Sequence, residues 1–166
     1  MVHKRNDKKE LQMKLTTFVA TVCLTLFSTA AAAKCDGDPA KEMEILALNM
    51  YHEARGEGRT AMQMVGEVTL NRVASGEYPN TICEVVYQKS QFSWVKKKDH
   101  TPYEEEAWEA ALEIAHDLLN QDVGDLFIFD NGATHFANLY VLKNPPRWTK
   151  TFDKVTKVGS HTFYRM

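Results

Sequence analysis

The sequence is short of the groups that usually signal a metal, a cofactor or a nucleic-acid partner. Only three cysteines occur in 166 residues, and Cys23 lies inside the N-terminal apolar run. Histidines are scattered at His52, His100, His116, His135 and His161. None has H-E-x-x-H spacing, because Gly56 stands where the second histidine would be needed. No metal or other cofactor is expected. No G-x-S-x-G segment supports a serine triad. Positive charge is also scarce. Residues 1–33 hold five basic and two acidic groups, a net +3 within a chain of −2, which leaves −5 for the rest. That balance argues against nucleic acid, whose phosphates call for clustered Lys and Arg. It offers no general attraction to any anionic polymer, so binding one would need a shaped groove. After residue 33 no stretch is long and apolar enough to cross a bilayer. There is no internal repeat and no low-complexity linker.

What is present begins with an export signal. Lys4, Arg5, Lys8, Lys9 and Lys14 precede an apolar run from Leu15 to Ala30, and Ala31-Ala32-Ala33 offers a small-residue cleavage site. Residues 1–33 are read as a signal peptide, with Met13 as a possible true start, and 34–166 as one domain. The alternative is a retained membrane anchor, for which the run is short. A lipoprotein is disfavoured, because Cys35 follows Lys34 where a small residue is wanted. The exported part keeps Cys35 and Cys83, an even pair suited to a disulfide. Closing that loop contributes at most about 4 kcal/mol in the chain-entropy account. Both thiols are better used there than as a nucleophile.

Apolar periodicity predicts a mainly α, α+β domain with a small β element near the C-terminus. Asp38 and Pro39 open a first helix whose Met43, Leu46, Ala47, Met50 and Ala54 share a face, with Gly56 and Gly58 ending it. Thr60-Ala61-Met62-Gln63 reads as a capping box for a second helix with Met62, Val65, Thr69 and Val73 inward, stopped by Gly76. Thr81-Ile82-Cys83-Glu84 caps a short third helix to Tyr87, and a polar loop spans 89–100. A long helix is expected to start at Thr101-Pro102-Tyr103-Glu104, with Trp108, Ala111, Leu112, Ala115, Leu118 and Leu119 as its stripe and Gly124 beyond its end. Leu126–Phe129 suggests a strand, 131–148 a long structured loop, and Lys154–Val158 with His161–Arg165 a hairpin about Gly159-Ser160.

Glu53 is the oddest residue in that pattern. It lies seven after Leu46 and three after Met50, on the apolar side of its helix. A carboxylate there is either paired, with Arg55 or Arg72, or held partly neutral, which suits a general acid. Glu57 offers a second carboxylate of the kind glycosidases pair, but Gly56 should break the helix between them. A supporting role, with Arg55 or with donors at the next helix start, is the preferred reading. Glu67 and Asp130 are weaker candidates. Gln91, Phe92 and Ser93, with Trp94, either present polar groups and a ring to a sugar or plug their loop onto the core. His135, Tyr140 and Trp148 carry the same ambiguity, and Asn71 either bonds a loop or faces water.

In order along the chain, Tyr51-His52-Glu53-Ala54-Arg55-Gly56-Glu57, Val68-Thr69-Leu70-Asn71-Arg72-Val73, Tyr78-Pro79, Val85-Val86-Tyr87-Gln88 and Gln91-Phe92-Ser93 resemble the SleB/CwlJ-type cell wall hydrolases. So do Gly132-Ala133-Thr134-His135-Phe136, Pro146-Arg147-Trp148 and Gly159-Ser160-His161-Thr162-Phe163-Tyr164. The resemblance implies a lysozyme-like, mostly helical domain acting on peptidoglycan glycan strands. It implies that Glu53 is the catalytic acid of a lytic transglycosylase, with Asn71, Gln91, Phe92, Ser93, His135 and Tyr140 as candidates to meet substrate. Arg55 and Glu57 would support them. Ala61, Met64 and Gly66 depart from the family pattern only in helix packing. An amidase cutting the muramoyl–L-alanine bond and a non-enzymatic wall-binding protein are the alternatives. With no separate wall-binding repeat in the chain, targeting would fall to this domain or to a partner.

Overall fold

The first helix, α1 (Pro39–Ala54), starts where its cap dictates: the Asp38 side chain accepts a hydrogen bond from the Ala40 amide at 3.0 Å, and Pro39 fills the first turn. The computed structural model describes residues 35–120 and 132–166. A 3-10 turn, Arg55–Glu57, continues from α1, and α2 follows at Arg59–Ser75. Gly58 makes the break between them, at φ +86°, whereas Gly56 lies inside the 3-10 turn. Gly58 also takes the cap position of α2 without any side-chain cap bond. Thr60 therefore sits within the helix, and the expected capping box does not form. Gly76, at φ +74°, ends α2 as expected.

Helix α2 is buried on nearly every side from Ala61 to Thr69. One side meets α1 and α4, the helix at Glu105–Asn120. Gly66 is the point of closest approach: a Cβ there would lie 2.6 Å from Met50 Sδ and 2.7 Å from Leu118 Cδ1. Another side presents Met64 and Val68 to Ala133 and Phe163, which form one buried cluster. The short α3 (Ile82–Tyr87) is capped by Thr81, whose hydroxyl accepts from the Glu84 amide at 3.2 Å. Cys83 on this helix and Cys35 are both disulfide cysteines.

The long helix begins at Glu105, later than its sequence signals suggest. The hydroxyl of buried Tyr51 accepts from the amides of Tyr103 and Glu104, each at 3.0 Å, and so fixes the entering chain. Its inward face is Ala111, Ile114, Ala115 and Leu118; Trp108 and Leu112 are half-buried, and Leu119 is exposed. The stripe is thus rotated toward Ile114. The expected strand at Leu126–Phe129 and the stop at Gly124 lie outside the described residues.

The C-terminal part forms a three-stranded antiparallel sheet, β1 (His135–Asn138), β2 (Asp153–Val158) and β3 (His161–Arg165), in the order β1-β3-β2. The hairpin about Gly159-Ser160 forms as expected. The segment 131–148 is not simply a loop: His135–Asn138 pairs with β3, Phe136 opposite Phe163, and Arg147–Lys150 makes a 3-10 turn. Phe163 is fully buried, and Phe136 and Val158 pack beside it. Pairing with β3 outweighs the low strand propensity of Asn and His in β1.

Candidate active site

Glu53 occupies the last turn of α1 and is mostly buried there. It is not paired as a structural carboxylate would be. Arg55, one expected partner, donates from Nε to Glu104 at 2.8 Å, bonds the Tyr103 hydroxyl and lies over the Tyr51 and Tyr103 rings. Arg72, the other, donates from Nε to the Thr134 carbonyl at 2.7 Å and lies against the rings of Tyr78 and Phe92. Among the described residues no hydrogen bond or ion pair within 4 Å holds the Glu53 carboxyl. Burial pushes its pKa up to about 7, and the charges of Arg72 and Lys97 only partly oppose this. Near neutral pH the group is therefore poised to exchange its proton.

Arg72 is the residue whose importance the sequence reading understated. It is 5% exposed and one guanidinium nitrogen has no partner among the described residues. Its sequence signal is legible in hindsight, since it follows Val65 and Thr69 on the buried face of α2. Its charge reaches Glu53 on one side and His135 on the other. Burial first, then Arg72, brings His135 down to about 4, so this imidazole is neutral. Its ring nitrogens contact Thr134 Oγ1 at 3.0 Å and the Tyr78 hydroxyl at 3.3 Å, and its ring packs on Trp148 and Phe152.

A second neighbourhood supports the Glu53 turn from the 89–100 loop. Trp94, at the start of the 3-10 turn Trp94–Lys96, stacks on His52 with centroids 4.7 Å apart. Its indole donates to Asn49 Oδ1 at 3.0 Å, and Asn49 donates to Thr69 Oγ1 at 3.1 Å. His52 also contacts the His100 carbonyl at 3.0 Å, and burial lowers its pKa. These buried polar groups satisfy one another and hold the end of α1 against the loop.

The other candidates divide clearly. Phe92 is buried against Phe136 and Arg72 and seats its loop, while the flanking Gln91 and Ser93 side chains are exposed. Asn71 donates to the Ala133 carbonyl at 3.0 Å and so bonds the segment entering β1. Glu57 is a clamp, with a different partner from those expected: its carboxylate accepts from the Ser160 amide at 2.8 Å and from the Ser160 hydroxyl. These bonds hold its pKa below the usual value. Tyr140 stands at the outer rim of the sheet beside Lys157. Glu67 is buried with a pKa raised to about 7, and Gln63 donates to it at 3.0 Å. Asp130 lies outside the described residues. Among those residues, no three His, Cys, Asp or Glu side chains converge as metal ligands, and no helix is long and apolar enough to cross a membrane.

Known proteins share this fold. The catalytic domain of the germination-specific lytic transglycosylase SleB from Bacillus anthracis superposes with a TM-score of 0.59 at 26% identity, covering 78% of this chain and 98% of that one. The catalytic domain of the Bacillus cereus SleB protein superposes with a TM-score of 0.59 at 25% identity, over 84% of this chain and 99% of that one. A Bacillus cereus spore cortex-lytic enzyme is 26% identical over 132 residues, 77% of this chain. The chain spans about half of that relative's length, 46%. The cell wall hydrolase family pattern matches residues 56–164, beginning three residues after Glu53. With that match running through α2 and into the last strand of the sheet, the chain belongs to the cell wall hydrolase family.

Proposed function

We propose that this protein is an exported enzyme that cuts the bond between N-acetylmuramic acid and N-acetylglucosamine in peptidoglycan, as a lytic transglycosylase with Glu53 as acid and then base. One observation carries the reading: Glu53 is a mostly buried carboxyl with a pKa near 7 and no bonded partner among the described residues. Such a group can both give and take a proton near neutrality. The SleB catalytic domain of similar fold, described as a lytic transglycosylase, supports the same assignment.

In the first step protonated Glu53 donates to the glycosidic oxygen as the C1–O bond breaks. N-acetylglucosamine leaves with the proton, and positive character builds at C1 of the muramic sugar. Glu53 is now a carboxylate, which the Arg72 and Lys97 charges stabilise. In the second step Glu53 takes the proton of the muramic 6-hydroxyl, and that oxygen bonds to C1 to close a 1,6-anhydro ring. The proton balance returns to its start and no water is consumed. One carboxylate suffices because the nucleophile belongs to the substrate, which agrees with Glu57 being committed to Ser160. Gln91 and Ser93 offer exposed polar side chains to the glycan.

Mass spectrometry of digested peptidoglycan tests the proposal. The expected products end in 1,6-anhydromuramic acid. Reducing-end muramic acid alone would make the enzyme a hydrolase, and release of stem peptides from intact glycan would make it an amidase.

A further inference from the structure

The net charge of the chain conceals a sharp division. Residues 35–120 carry eight Lys and Arg against sixteen Asp and Glu, a net −8. Residues 132–166 carry Lys143, Arg147, Lys150, Lys154, Lys157 and Arg165 against Asp153 alone, a net +5. Arg165 lies 3.6 Å from Asp153; among the described residues none of the other five cations has a carboxylate within 4 Å. All five are exposed or half-buried at the surface of the sheet and its β1–β2 connection.

This basic surface has an organised centre. Tyr140 is 76% exposed, yet its hydroxyl accepts from Lys157 Nζ at 2.7 Å and the ammonium sits 4.7 Å from its ring centroid. Lys154 is close enough for its charge to act on the same phenol. Leu139, Val141 and Leu142 flank the ring and are exposed as well. The sheet is tied to the Glu53 end of α1 through the bonds from Ser160 to Glu57. A partner seated on the sheet would therefore be held in register with the acid.

We propose that this surface is a wall-anchoring site that binds the stem peptides of peptidoglycan. The inference rests on the peptidoglycan reading above. Stem peptides alternate free carboxylates with alanine methyl groups, which suits lysines interleaved with Val141, Leu142 and the Tyr140 ring. A bare glycan strand offers fewer of both. The overall −5 of the exported part thus does not preclude attraction to an anionic wall, because the attraction is local.

The test uses the full chain carrying Glu53→Gln, so that the wall is not consumed, and measures co-sedimentation with purified insoluble peptidoglycan. Adding Lys143→Gln, Lys154→Gln and Lys157→Gln should weaken binding about tenfold and flatten its dependence on salt. Converting the stem-peptide carboxylates to methylamides should bring the parent down to the level of the triple variant and leave that variant unchanged. Equal binding by parent and triple variant, or indifference to amidation, overturns the anchoring site while leaving the enzyme reading intact. Lysine-dependent binding to phosphatidylglycerol vesicles with none to peptidoglycan overturns it in favour of a lipid surface. A wild-type chain that neither binds nor cleaves peptidoglycan overturns both readings together.

Discussion

The helical part and the C-terminal sheet are held by different physics. Helices α1, α2 and α4 meet through apolar side chains packed so closely that Gly66 leaves no room for a methyl group beside Met50 and Leu118. The sheet has an apolar contact too, through Met64, Val68 and Phe163, but much of its attachment is polar. Asn71 bonds Ala133, Arg72 bonds Thr134, and Glu57 bonds Ser160. The difference explains which polar residues are left for chemistry. Asn71 and Glu57, both site candidates in the sequence, and Arg72, a candidate partner for Glu53, are occupied in fastening the sheet. Among the described residues the Glu53 carboxyl has no such bond.

Mutations in the two parts should have different effects. The largest effect is expected in the helical part. Trp94→Ala removes a buried ring, its stack on His52 and a donor to Asn49, and should cost about 3–5 kcal/mol in urea unfolding. A cost near zero would mean that the 89–100 loop does not brace α1. Glu53→Gln should act in the opposite direction. The folded state holds this proton to about pH 7 and the unfolded state only to about the ordinary value of 4.5, so ionisation opposes folding increasingly across that window and fully above it. The variant should be more stable than wild type at pH 8, by up to about 3 kcal/mol, and no more stable at pH 4. A loss of stability at pH 8 would show that Glu53 is paired after all.

The sheet should respond more locally. Gly159 has φ +57°, and a Cβ there would collide with Glu57 Oε2. Gly159→Ala should cost about 2 kcal/mol and speed amide exchange in β2 and β3 while the helices keep their protection. Uniform loss of protection would argue against a separately fastened sheet. The smallest effect is expected from Glu57→Gln, about 1–2 kcal/mol from the weakened bonds to Ser160. Because Ser160 holds the Glu57 pKa below its usual value, that stabilisation is present above about pH 4.5 and is lost as pH falls through the folded value. Wild type and variant should therefore converge in acid, as thermal melts between pH 3 and 7 would record.

The same division governs what the sequence makes legible. The helices of the body announce themselves by apolar spacing and by caps such as Asp38 and Thr81. The hairpin is marked by Gly159-Ser160 between two β-prone runs. Strand β1 is hidden because His135-Phe136-Ala137-Asn138 has no alternation, and only its partner β3 makes it a strand. Thr60 and Leu119 mislead because local pattern does not show where Gly58 turns the chain or how Tyr51 sets the start of α4. At the site, the placement of Glu53 on an apolar face is visible from spacing. The freedom of its carboxyl is not, because it depends on Arg55 and Arg72 finding other partners far away in sequence.

In the proposed mechanism Glu53, which has no bonded partner among the described residues, does the chemistry while its neighbour Glu57 only fastens the sheet. The most direct measurement is the pH dependence of kcat/KM on peptidoglycan for wild type, Glu53→Gln and Glu57→Gln side by side. Wild type should fall off above about pH 7 as Glu53 loses its proton. Glu53→Gln should lose about 10³-fold or more at every pH while staying folded, and Glu57→Gln should stay within about tenfold of wild type with the same upper limb. An active Glu53→Gln, or a Glu57→Gln as inactive as it, would contradict the account.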